Sequence, residues 1–130
     1  MKRKIPDSNR SPHGWWIATL VERYEHCDED TSNLNRRCTA WHNTILIKAH
    51  DRNEAYRKAV HQGSLCSDSV CGPSGGRQGH WVFEGLASLL PVYGKLGDGS
   101  EVLWQEAKNI AVKTVKSDVR KKKDLECFRD

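Results

Sequence analysis

The sequence predicts an α+β fold, a small antiparallel four-stranded sheet with a helix packed on one face, in the order β-β-α-β-β-α. Three observations lead there. Between Trp41 and Gln62 the apolar period changes from two, in the alternation of Trp41, Ile45, Ile47 and Ala49, to about 3.6, and Asp51 and Glu54 form a capping box at the change. Runs rich in Trp, Phe, Ile, Leu and Val stand before and after this unit, as strands should. Clusters of Gly, Pro, Asp and Ser separate the runs.

Residues 1–13 hold Pro6 and Pro12 and little apolar material, which predicts a mobile basic arm. Gly14 to Tyr24 is the first strand, with Trp16, Ala18 and Leu20 on one face and Trp15, Ile17 and Val21 on the other. The polar stretch from Glu25 to Asn35 is a wide hairpin connection, and Arg37 to Ala49 the second strand. The helix runs from Arg52 to Gln62, lays Ala55, Tyr56, Ala59 and Val60 on the sheet, and stops at Gly63.

Ser64 to Gly79 reads as a loop, since its composition is Ser, Gly, Cys, Asp and Pro. His80 to Leu90 is the third strand, carrying Trp81, Phe83, Ala87 and Leu89 on one face, and Gly85 within it marks a bulge or a close backbone approach. Pro91 ends or bends that strand, Val92 and Tyr93 continue it, and Gly97-Asp98-Gly99 turns the chain. Ser100 to Gln105 is the expected fourth strand, followed by a basic helix from about Glu106 to Lys122 with an imperfect stripe of Ile110, Val112, Val115 and Val119. The expected organisation is therefore an arm over 1–13, one domain over 14–105, and a basic helix and tail over 106–130.

A chain of 130 residues forms one domain and buries roughly two thirds of its unfolded surface. The net charge of +4 is uneven. Lys2, Arg3, Lys4 and Arg10 against Asp7 give the arm +3; eight basic against five acidic residues give 106–130 another +3; the segment between has nine against eleven, hence −2. Any binding to a polyanion is thus expected at the ends, through Lys2, Arg3, Lys4, Arg120, Lys121, Lys122 and Lys123. No apolar run approaches the roughly 20 residues that cross a bilayer, and no secretory signal opens the chain, so a cytoplasmic protein without membrane contact is expected. Five cysteines, odd in number and irregularly spaced, fit reduced thiols.

Three segments carry a resemblance. Trp15-Trp16-Ile17-Ala18, the run from Ile45 to Ala55, and Phe83-Glu84-Gly85-Leu86 leading through Val92 and Tyr93 to Asp98, Gly99 and Glu101 resemble the bacterial family of domain of unknown function 4288. The likeness covers roughly Gly14 to Gln105. It implies a small α+β fold and brings no catalytic residue and no cofactor. The basic arm, the loop bearing Cys66 and Cys71, and the long C-terminal helix depart from the pattern.

Chemistry is sparse. Cys66 and Cys71, with His61 and His80 on either side, can be drawn as a zinc site, but the second tidy pair of a knuckle is missing and a plain loop explains them better. His26, Cys27, Cys38 and His42 make a weaker set. His42, His50 and His80 can be paired on paper with Glu54, Glu84 or Glu101, yet Glu54 is already spent on the helix cap, and no nucleophile elbow, phosphate loop or His-Glu-x-x-His occurs. The expectation is no metal, no cofactor and no catalytic residue. Trp16, Trp41, Trp81 and Trp104 are expected in the core, whereas Trp15 and Ile17 alternate to the opposite face and are the candidate partner-binding residues.

The expected function is a non-enzymatic module that binds another protein, as a homo-oligomer or in a hetero-complex, for example as an accessory or immunity-type subunit of a bacterial toxin or phage-defence system. Nucleic-acid binding by the basic ends is the alternative, and a small hydrolase the third reading.

Overall fold

β1 (Trp15–His26) forms the middle of an antiparallel sheet, with β2 (Thr39–Lys48) on one side and β3 (Gly79–Pro91) on the other. The computed structural model describes residues 9–67 and 79–128, with the side chains of Cys66, Ser67 and Cys127 excepted. Register sets the two faces. Trp16, Ala18, Leu20, Glu22 and Tyr24 stand opposite Ile47, Ile45, Asn43, Trp41 and Thr39 on β2 and Pro91, Leu89, Leu86, Phe83 and Trp81 on β3. Because side chains alternate along a strand, all of these share one face, and α1 (Arg52–Ser67) packs on it.

The helix starts where the sequence places it. The Glu54 N–H donates to Asp51 Oδ1 at 2.8 Å, and Glu54 Oε1 reaches back to the His50 N–H at 3.1 Å, a capping box whose return bond lands one residue before the cap. The end differs. α1 runs through Gly63 to Ser67, because Gly63 is a buried contact point and not a stop; a Cβ there would lie 2.4 Å from the Phe83 ring. With Ala55 and Ala59 it makes a stripe of small residues that brings the helix close to Trp16, Ala18 and Ile47. Trp16, 2% exposed, uses its indole N–H on the Ala49 carbonyl at 3.4 Å.

Gly85 occupies φ +146°, beside two register shifts between β1 and β3, so the bulge expected there is present. Nothing lies within 4 Å of a Cβ built on it, and the reason for glycine is the backbone angle.

Two further expectations fail. The sheet has three strands, since Ser100–Gln105 enters no ladder. The Val92 N–H donates to the Trp15 carbonyl at 2.8 Å, after which the chain turns through Gly97–Ser100, and Val102 and Leu103 stay exposed. A strand-like pattern does not supply a partner to pair with. The helix expected from Glu106 to Lys122 is reduced to α2 (Val112–Ser117) and two short 3₁₀ turns. Asn109 at φ 56° interrupts its start, Ala111 offers no side-chain cap, and no α2 residue is buried, so a β-branched segment lacks the packing that sustains a helix.

Candidate functional site

The face of the sheet opposite α1 is built by the other half of the alternation. Leu46, Ile17 and Leu90 form an apolar row across all three strands. One step along, Trp15 pairs with Lys48, whose ammonium lies 4.9 Å from the indole centroid and donates to the His13 carbonyl at 2.9 Å. One step the other way, the row is Thr44, Thr19 and Ser88, with the two threonine hydroxyls hydrogen-bonded at 3.0 Å. Ile17, at the centre of its row, is only 6% exposed and Trp15 is half-buried; Leu46 on the edge strand is 51% exposed. Trp15 and Ile17 are thus brought together on one face, and Leu46, which sequence reasoning did not single out, is its most accessible apolar side chain. Its alternation with Ile45 and Ile47 was the available signal.

A second concave feature lies between β2 and α1. Ile45 and Ile47 form its floor, Lys48, Arg57, Lys58 and His61 its rim, and its volume is about 680 Å³. Lys58 donates to the Lys48 carbonyl at 2.6 Å and lies 3.7 Å from Glu54. The sequence hides this basic cluster, because its members come from two elements of a body that is net negative.

Trp41 is a correction. It faces the α1 side as expected, opposite Glu22, but is 53% exposed on an edge strand. Its ring rests against Trp81 at 5.1 Å between centroids, and Trp81 meets Tyr24 at 5.4 Å. Trp81 and Trp104 are half-buried, not core. Among these rings lies Glu22, 5% exposed: Oε2 accepts from the Asn43 amide at 3.2 Å, and Oε1 has no hydrogen-bond partner. An orphaned buried carboxylate oxygen is costly, and the position was readable as the continuation of Trp16, Ala18 and Leu20.

Two of the carboxylates drawn as acid-base partners, Glu54 and Glu84, have structural work. Glu54 is held below its ordinary pKa first by the His50 backbone N–H and then by the His50 ring, 3.3 Å away. Glu84 pairs with Arg23 at 3.3 Å. Arg36 joins Glu25 and Glu29 at the base of the β1–β2 connection, and its hydrogen bond is the leading cause of the lowered Glu25 pKa, against the opposing effect of burial. Among the described residues no group of three or more His, Cys, Asp or Glu is placed to hold a metal ion. Cys71 and the Cys66 side chain lie outside the described residues, as do Lys2, Arg3 and Lys4.

Arg120, Lys121, Lys122 and Lys123 are exposed around the first 3₁₀ turn, and Lys122 lies over the Phe128 ring at 5.1 Å. Among the described residues no helix is long and apolar enough to cross a membrane.

Residues 15–104 match the family model described as Domain of unknown function (DUF4288), a span that includes the outer sheet face and the groove and leaves both basic ends outside. No curated protein and no solved structure matches the chain.

Proposed function

The chain belongs to the family described as Domain of unknown function (DUF4288), and on that premise we propose that it serves as a non-enzymatic module that binds another protein through the outer face of its sheet. The observation that carries this reading is the Leu46–Ile17–Leu90 row beside Trp15. An apolar centre crossing three strands, rimmed by Thr19, Thr44 and Lys48, has the composition of an interface core inside a polar rim. α2, the chain's own competitor for this surface, buries none of its residues, and with Ile17 already buried within the chain, Leu46 and half-buried Trp15 are the side chains of this face left to a partner. Work as an accessory or immunity-type subunit of a bacterial toxin or phage-defence system is a setting in which such a module would serve.

Light scattering and titration against the co-purifying protein partner test the reading. Trp15→Ala and Leu46→Asp should weaken association by about tenfold or more while circular dichroism stays native, because truncated anchors cost more than rim contacts. A wild-type chain that remains monomeric and retains only nucleic acid, released by neutralising Arg120 to Lys123, would replace this reading with binding by the basic ends.

A further inference from the structure

We propose that the groove between β2 and α1 receives an acidic peptide segment in extended conformation, docked along the outer edge of β2. The inference deepens the protein-binding reading and rests on it. Three features converge. β2 is one of the two edge strands and, among the described residues, pairs with β1 alone. An edge strand of this kind presents alternating N–H and C=O groups, which match the backbone of an extended chain and of little else.

Charge supplies the second feature. Every ionisable residue that lines the groove, Lys48, Arg57, Lys58 and His61, is basic, although the body as a whole carries −2. The Lys48 ammonium is engaged over Trp15, and Lys58 leans on a carbonyl and on Glu54, so the exposed Arg57 is the cation most available to an incoming carboxylate. Complementary charge of this sort speeds encounter and rejects basic segments.

The third feature is the floor. Half-buried Ile45 offers aliphatic surface to a side chain of an added strand, Ile47 beside it is buried at 5% exposure, and Leu46, which alternates to the outer face, also lines the groove. One extended segment could therefore contact both surfaces. A single-stranded nucleic acid would want large aromatic rings to stack on, and no Trp, Tyr or Phe is among the described residues that line this groove.

The test is fluorescence anisotropy with the full chain. The probes are a labelled peptide of alternating Glu and Val, its Lys and Val counterpart, a version of the acidic peptide N-methylated at alternate residues, and an oligothymidine. The acidic peptide should bind and weaken with added salt. Arg57→Glu with Lys58→Glu should weaken it by about tenfold or more, and Arg57→Gln with Lys58→Gln by less, since charge reversal adds repulsion to lost attraction. N-methylation on the pairing edge should abolish binding, and Val119→Ala, at an exposed position beyond α2, should leave it unchanged. Equal binding of the acidic and basic peptides, undiminished binding of the N-methylated one, or oligothymidine binding removed by the Arg57/Lys58 pair would overturn the inference. If instead the protein partner is held through Trp15 while no acidic peptide binds, the groove proposal falls and the protein-binding reading stands.

Discussion

α1 and α2 both begin as apolar stripes in the sequence, and only one becomes a packed helix. Along α1, Ala55, Ala59 and Gly63 recur every fourth residue, so the backbone can settle against Trp16, Ala18 and Phe83. Along the C-terminal segment, Val112, Val115 and Val119 have comparable spacing but remain exposed, and the helix closes after six residues. The difference teaches that spacing alone does not make a helix in a chain this small. A stripe needs a complementary surface, and β1 with its neighbours supplies one such surface to α1.

The largest way to break this comparison is through the receiving surface. Trp16→Ala should cost about 3–5 kcal/mol by denaturant unfolding, whereas Trp41→Ala, at a half-exposed edge position, should cost less than half as much. Equal losses would show that burial on the sheet is not what separates the two tryptophans.

Next comes the close approach of the helix. Gly63→Ala gains about 1 kcal/mol of helix propensity but forces the Phe83 ring aside, an overpacking cost of about 1–3 kcal/mol, so net destabilisation of about 1 kcal/mol is expected. A stabilised variant would mean that the ring moves freely and that Gly63 serves no packing role.

Smaller again is the cap. Asp51→Ala should lose about 1 kcal/mol. Glu54, its partner, has a native pKa below the ordinary 4.5, so its ionised form stabilises the fold. That contribution is complete above the unfolded value and is lost as pH falls through the lower native one. Unfolding curves of wild type and Glu54→Gln should accordingly draw together in acid and separate toward neutral pH.

The smallest effect belongs to α2. Val115→Asp, on a helix with no buried residue, should change stability by no more than about 0.5 kcal/mol. A large loss would reveal that the C-terminal segment packs after all.

What was legible in the sequence was local. The cap at Asp51, the faces of β1 and the bulge at Gly85 follow from signals within a few residues. The fourth strand and the long C-terminal helix are not decidable locally, because each depends on a distant packing partner, and Val102, Leu103, Val112 and Val115 stay exposed. Gly63 was misread for a related reason: glycine ends helices, but here a ring from β3 demands it. The candidate face was legible in Trp15 and Ile17, through alternation. The basic groove was not, since Lys48 and Arg57 meet only when β2 and α1 pack, and a charge count by segment averages them away.

Partner binding is proposed to reside on the folded body and not on the basic ends. Calorimetric titration of the co-purifying partner with two full-length variants tests it most directly. The claim predicts that Trp15→Ala with Leu46→Asp weakens binding by about a hundredfold, the scale of a lost pair of interface anchors, while neutralising Arg120, Lys121, Lys122 and Lys123 changes it by about threefold or less. Binding that survives the first change and collapses with the second would contradict it.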